Sequence, residues 1–232
     1  MPTRYAIYYA PAPDTALWRF GSDVLGYDAA TGEDVPQWVP EGFTPQAWAA
    51  ATADPRKYGF HATLKAPFAL AAPYGEDALL AALERFAAGR TAVDLGPCGV
   101  HEIASSQGGG FLALTPVEAP SALAALERAI LEGFEPFRAP LTPEDRARRN
   151  PERLSPRQRD YLDTWGYPLV LEEFRFHMSL TGRIEDTAPA AARLQARAEA
   201  AGAAGPVRLD RLALFRQEDG QRFRVLATAW LR

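Results

Sequence analysis

The string Phe-His-x-[Ser/Thr]-Leu occurs twice in this chain, as Phe60-His61-Ala62-Thr63-Leu64 and as Phe176-His177-Met178-Ser179-Leu180. The copies lie half a chain length apart in 232 residues, and they use two of only three histidines. A rare titratable side chain with a hydroxyl two places on, repeated in one short frame, constrains the fold strongly. If the copies serve one ligand, the chain must bring them together.

The surroundings of the two strings run in the same order. After His61 come a strand-like run over 58–66 and a helical run over 76–88, with Leu79, Leu80, Leu83, Phe86 and Ala87 at helical spacing. Strand-like runs follow at Ala92–Leu95 and Phe111–Leu114, the second after a glycine-rich turn, Gly108-Gly109-Gly110. After His177 the order repeats. Phe174–Leu180 reads as a strand, and Ala188–Ala201 as a helix with Pro189 in its first turn and Gly202 past its end. Val207–Phe215 and Phe223–Trp230 read as strands joined by the turn Glu218-Asp219-Gly220-Gln221.

Each half therefore predicts strand–helix–strand–strand. Arg4–Tyr9 adds an opening strand, and Pro120–Phe134 a helix with Leu123, Leu126 and Ile130 on one face. The expected fold is α+β, with two pseudo-symmetric ferredoxin-like lobes whose antiparallel sheets face a central cleft. One bilobal domain would span 1–232, with lobes near 1–118 and 171–232 joined by a helical segment over 119–170.

Two segments stand outside the duplication. Residues 11–57, rich in Pro, Gly and Trp, read as a long ordered excursion. Residues 139–170 carry Arg146, Arg148, Arg149, Arg153, Arg157 and Arg159, then Tyr161, Trp165 and Tyr167. The plainer reading is a solvated helix face balanced by Glu144, Asp145, Glu152 and Asp160. The alternative is a lid that carries an arginine and an aromatic over an anionic ligand.

On a strand, side chains alternate between faces with period two. His61, Thr63 and Lys65 are thus expected on one face, and Arg175, His177, Ser179 and Thr181 on one face of the other strand. Phe60, Ala62, Leu64, Phe176, Met178 and Leu180 would form the apolar, core-directed faces. An imidazole, a hydroxyl and a cation on an interior strand call for water or a ligand. Lys57 and Lys65 are the only lysines among 25 basic residues, and they bracket His61. Such compact, mobile ammonium groups suit anion contact.

Two paired imidazoles can hold one neutral and one protonated ring near neutral pH, the requirement for concerted general base and general acid catalysis. Thr63 and Ser179 can donate to the non-bridging oxygens of a tetrahedral anion, and Lys65 or Arg175 can offset its charge. A phosphodiester fits this set. One histidine would activate water or a ribose hydroxyl, and the other would protonate the leaving oxygen, with no metal and no cofactor required. A lone strand histidine is usually structural, but two in matching slots weaken that reading. Within the expected strands 58–66 and 174–180 no acidic side chain shares the face of either histidine, which disfavours a metal centre. His101 falls outside the repeat and reads as a surface or supporting residue.

Bulk properties narrow the partners. A net charge of −4 speaks against an extensive nucleic-acid footprint. Cys98 is the only cysteine, so there is no disulfide framework and no cysteine-based zinc site. The first residues lack a long apolar run, and no stretch approaches a membrane span, so a cytoplasmic protein is expected.

The paired His-x-[Ser/Thr]-Leu strings resemble those of the two-histidine (2H) phosphoesterase superfamily. The wider strings Tyr58-Gly59-Phe60-His61-Ala62-Thr63-Leu64-Lys65-Ala66-Pro67-Phe68, Trp165-Gly166-Tyr167-Pro168 and Phe174–Gly182, with the opening Arg4–Pro11, resemble one branch of it. That branch is encoded beside bacterial phosphonate-utilisation genes. The resemblance implies a bilobal α+β fold and metal-independent cleavage of 2′,3′-cyclic or similar phosphodiesters. It matches His61 and His177 to catalytic histidines and Thr63 and Ser179 to phosphate-binding hydroxyls. It implies nothing for Lys65 or Arg175, which rest on strand alternation. The expected partner is a small phosphodiester, such as a 2′,3′-cyclic nucleotide or a ribose cyclic phosphate. Two other readings stay open: a non-catalytic binder of a phosphorylated nucleotide or sugar, and an RNA-end processing enzyme.

Overall fold

Alternation along the first strand sets the architecture. In β1 (Arg4–Tyr9), Tyr5, Ile7 and Tyr9 join one buried cluster while Ala6 and Tyr8 join another. A strand buried on both sides must lie inside a sheet covered on both faces. A computed structural model, describing residues 3–104 and 109–232, places β1 third in an eight-stranded sheet. Gly108 of the expected glycine-rich turn lies outside the described residues.

The other principal strands are β4 (Ala62–Phe68), β5 (Val93–Ala104), β6 (Gly110–Pro116), β7 (Met178–Ser179), β8 (Gly205–Leu209), β9 (Arg211–Gln217) and β10 (Arg224–Trp230). The order is β10-β9-β1-β4-β7-β6-β5-β8, and every pairing is antiparallel. A separate short hairpin, β2 (Tyr27–Asp28) with β3 (Glu33–Asp34), lies in the excursion after β1.

The α+β class and antiparallel pairing agree with the sequence. The expected pair of sheets is instead one continuous sheet, because the two motif strands pair directly with each other at its centre. Strands from the two sequence halves also cross over. The hairpin β5–β6, which follows the first motif, lies beside β7, while β9 and β10, which follow the second, lie beside β1.

Three amphipathic helices pack on one face. Leu79, Leu83 and Ala87 of α4 (Glu76–Ala88), Leu123, Leu126 and Ile130 of α5 (Ser121–Phe134), and Ala190, Leu194 and Ala198 of α8 (Ala188–Ala200) enter the larger core with Ala62, Leu64, Met178 and Leu180. The excursion folds into α1 (Ala16–Leu25), α2 (Pro45–Ala51) and α3 (Ala53–Arg56). Thr15 caps α1 by accepting from the Trp18 N–H, and Gly26 ends it in the left-handed conformation at φ 68°. On the opposite side of the sheet Tyr8, Trp18, Tyr27, Phe215 and Phe223 form a smaller aromatic cluster. Segment 139–170 holds α6 (Pro143–Ala147) and α7 (Pro156–Trp165), the latter opened by a Ser155/Gln158 capping box. No described helix is long and apolar enough to cross a membrane.

Candidate active site

Ala62 of β4 pairs with Met178 of β7. Register in an antiparallel pair runs in opposite directions from any one pair, so His61 comes opposite Ser179 and Thr63 opposite His177. Such partners stand about 4.5–5.5 Å apart at Cα, and the diagonal pair His61 and His177 about 7–8 Å apart. Ala62 and Met178 turn into the helix-covered core, so their four polar neighbours emerge together on the opposite side. Two-fold local symmetry about one backbone pair thus builds a square of two imidazoles and two hydroxyls.

Each histidine is held in the same way. His61 Nδ1 lies 2.9 Å from the Gly59 carbonyl oxygen, and His177 Nδ1 lies 2.7 Å from that of Arg175. A carbonyl oxygen only accepts, so Nδ1 carries the proton in both rings and Nε2 is left for chemistry. Gly59 sits at φ 77°, and a Cβ there would meet Ala29 Cβ at 2.5 Å. Glycine is required both for that backbone turn and for the close approach. His61 Nε2 faces the Thr63 hydroxyl at 3.3 Å. The Ser179 hydroxyl has no protein partner among the described residues.

Burial shifts both rings towards the neutral form. Burial, with a smaller contribution from the charge of His177 and against the opposing Gly59 hydrogen bond, lowers the His61 pKa to about 4. His177 is lowered by burial as well. Mutual repulsion makes the doubly protonated pair the disfavoured state.

An open cleft of about 390 Å³ lies over this square, with His61, Thr63 and Ser179 in its lining. His177 does not line that volume itself. It meets the volume through Phe111, whose ring lies 5.5 Å away and 61° from its own plane.

The two cations expected on the polar faces lie elsewhere. Lys65 is 2% exposed, with Nζ 2.9 Å from Glu135 Oε2 and 3.4 Å from the Leu131 carbonyl oxygen of α5. The cause is an irregularity in the β1–β4 ladder. Tyr8 pairs with Thr63 but Ile7 pairs with Lys65, so β4 carries one extra residue there and its alternation is broken. Lys65 thereby joins Ile7 on the helix side. Arg175 is exposed and gives its guanidinium to the Glu172 and Phe174 carbonyl oxygens, so only its main chain serves His177. The expected strand 174–180 is also shorter, with a ladder only at Met178–Ser179. Thr181 lines the cleft, but its hydroxyl accepts from the Leu112 N–H. His101 donates to or accepts from Thr115 at the exposed end of the sheet.

Residues 63–224 match the family model described as "Protein of unknown function (DUF1045)". The chain belongs to the DUF1045 family. The matched span of this DUF1045 chain includes Thr63, His177 and Ser179 and begins just beyond His61. Two curated relatives carry the name "Ribose 1,5-bisphosphate phosphokinase PhnN". The protein from Janthinobacterium sp. (strain Marseille) is 36% identical over 93% of this chain and 48% of its own length. That from Laribacter hongkongensis (strain HLHK9) is 36% identical over 98% of this chain and 52% of its own. The DUF1045 chain thus spans about half the length of these relatives. Among solved structures, "Crystal structure of phosphoesterase" aligns over 99% of both chains at 14% identity and TM-score 0.47. "Structure of Kluyveromyces marxianus Usb1" aligns over 98% of both at 12% and 0.42.

Several side chains of the DUF1045 cleft escape a reading centred on the repeat. Tyr8 stacks on His61, and Tyr58 and Tyr167 line the opening. From the arginine-rich segment Arg149 and Tyr167 reach the cleft, with the guanidinium 5.1 Å from the centre of the Tyr167 ring. Lys57 lines the mouth, where Asp54 pairs with it at 2.7 Å. Among the described residues no group of three or more His, Cys, Asp or Glu is gathered to hold a metal ion.

Proposed function

We propose that this chain is a phosphoesterase of the two-histidine type that hydrolyses a cyclic phosphodiester without a metal, using His61 and His177 as its acid–base pair. The observation that carries this reading is the Ala62–Met178 register, which sets both histidines and both hydroxyls on one face, with each Nδ1 held by a backbone carbonyl and each Nε2 turned from it.

In the reaction, one neutral Nε2 takes a proton from water as its oxygen attacks phosphorus. The bond from phosphorus to the ring-closing oxygen breaks, and the protonated Nε2 of the other histidine supplies a proton to that oxygen. The product is a phosphomonoester beside a free hydroxyl. Thr63 and Ser179 donate to the non-bridging oxygens, where charge accumulates. With both rings neutral in the empty site, the substrate's own negative charge draws in the one proton the pair needs.

The relatives named for ribose 1,5-bisphosphate phosphokinase extend well beyond the matched half. Their name favours a phosphorylated ribose as the sugar, and a place in phosphonate metabolism accords with it. We read the partner as a small phosphodiester rather than a polymer, the compartment as the cytoplasm, and the two motif-bearing halves as copies of one unit.

The test is turnover of a panel of 2′,3′-cyclic nucleotides and ribose cyclic phosphates, followed by phosphorus NMR in excess chelator. Hydrolysis that persists in chelator and falls by about 10²–10⁴ in His61→Ala and in His177→Ala, with circular dichroism unchanged, supports the proposal. Activity lost in chelator and restored by zinc refutes the metal-free mechanism. Protection by these ligands with no turnover points instead to a binding protein.

A further inference from the structure

A second cavity, of about 250 Å³, lies beside the histidine cleft. Both volumes share Ala66, Pro67 and Arg149 in their linings, so Arg149 stands at their boundary. Arg4, Arg138 and Arg148 also line the second cavity. Two of these are neutralised nearby. Arg138 gives Nε–H to Glu135 at 2.8 Å, and Arg148 lies 3.3 Å from Asp145.

Among the described residues Arg4 and Arg149 have no carboxylate partner. Arg4 donates its Nε–H to the neutral amide oxygen of Gln217 at 2.9 Å and lies 5.5 Å above the Phe223 ring. Arg149 rests on Tyr167 and has no carboxylate partner among the described residues. Both side chains are half-buried. The acidic Glu144 in the same lining is engaged at the start of α6, where Thr142 and its own backbone hold its carboxyl below the usual range.

Several other arginines of this chain pair with carboxylates. Arg146 meets Asp163, Arg211 meets Asp210, and Arg216 meets Glu76. Two partly desolvated guanidinium groups left without a counter-charge at one cavity call for an anion. The planar fork of arginine matches phosphate oxygens.

We propose that this cavity binds a second phosphate, a phosphomonoester carried on the same small molecule whose cyclic phosphodiester lies over His61 and His177. The proposal rests on the phosphodiester reading above. It makes Arg4 and Arg149 specificity-determining residues, with Arg149 reaching both phosphates and Tyr167 fixing its plane.

Two measurements separate this proposal from the one it rests on. The first compares kcat/KM for a ribose 1,2-cyclic phosphate with and without a 5-phosphate. The wild type should favour the 5-phosphorylated compound by about tenfold or more, and the ratio should fall towards one in Arg4→Gln and Arg149→Gln. A wild-type ratio near one, or a ratio unmoved in both variants, overturns the proposal.

The second is calorimetric binding of ribose 5-phosphate to the full chain, which needs no turnover. Its affinity should drop about tenfold or more in the Arg4→Gln/Arg149→Gln double variant and persist in His61→Ala/His177→Ala. Affinity lost with the histidines but kept without the arginines, or unchanged in both, refutes the second site. If neither cyclic compound is hydrolysed, the phosphodiester reading fails while this arm still decides the cavity. Arg149→Lys keeps the charge without the fork and serves if the glutamine variants do not fold. It should weaken binding less than full removal, and equal binding to wild type would refute the role of Arg149.

Discussion

Tyr8 stacks on His61, with ring centroids 3.8 Å apart and planes 25° from parallel. Tyr8 is itself buried among Phe215 and Phe223, so one face of the imidazole sees only aromatic carbon. That contact belongs to the desolvation that keeps His61 neutral, with a pKa of about 4. His177 is lowered too, so the two rings share at most one proton over most of the accessible range. If His61 and His177 act as proposed, the one proton they need will be held in the free protein only on the acidic side of the ordinary histidine value. The alkaline limb of kcat/KM should fall below pH 6.5, and the corresponding limb of kcat should lie at higher pH, because bound phosphate favours the imidazolium. A kcat/KM profile rising through pH 7 would contradict the depressed values. Tyr8→Leu, which loosens the stack, should move the limb upwards.

Glu127 of α5 is 1% exposed. One carboxyl oxygen accepts from the Leu171 N–H at 3.2 Å, and the other has no partner. Burial raises its pKa to about 7, opposed by the Leu171 bond. Leu171 carries φ 57° and opens the turn that leads to Arg175 and His177. A carboxyl with a raised folded pKa contributes stability at low pH that is lost as pH climbs from its unfolded value near 4.5 through about 7. Glu127→Gln removes that dependence. Urea midpoints at pH 5 and pH 8 should show the variant gaining on wild type with rising pH. A gap that stays constant would show that the carboxyl does not titrate in this window.

The sequence carried the order of elements better than their neighbours. Arg4–Tyr9 is a strand at the expected residues, and α5 and α8 end within a residue of expectation, because caps, turns and hydrophobic period are local signals. Which strands lie side by side is a long-range matter, and nothing in 205–230 announces that β9 pairs with β1. The doubled string shows which polar side chains recur, and alternation places His61 and Thr63 on one face. Alternation misplaces Lys65, because a one-residue ladder irregularity leaves no mark in composition. Arg149 was visible only as one arginine among six in a charged run. Its selection depends on where the Asn150 turn and Tyr167 leave it, which only the tertiary structure specifies.

Gly21 links α1 to the first motif through space. A Cβ at this position would meet the Phe60 ring at 2.0–2.4 Å, and Phe60 precedes His61 in the chain. Alanine in a helix interior normally gains about 0.5–1 kcal/mol over glycine. Overpacking of a fully buried ring costs about 1–3 kcal/mol and should win. Gly21→Ala should therefore lower the urea midpoint at unchanged m-value. A variant as stable as wild type would mean that Phe60 moves aside freely.

Lys65 provides the sharpest contrast between a residue's place in the sequence and its role. It sits two positions beyond Thr63 in the first motif, yet its ammonium lies under α5 against Glu135 and 5.8 Å from the Phe68 ring. Burial lowers its pKa, against the pull of Glu135. Lys65→Met keeps the apolar stem and removes the charge. Removing one partner of a buried pair costs about 3–5 kcal/mol when the other is stranded. Glu135 is 27% exposed and keeps Arg138 at 2.8 Å, so the loss should be smaller, about 1–3 kcal/mol. A structural role predicts that loss in urea unfolding with KM for the cyclic diester little changed. A phosphate-binding role predicts the reverse, with KM raised about tenfold and stability intact. Measuring both quantities on one variant decides between the core and the cleft for this side chain.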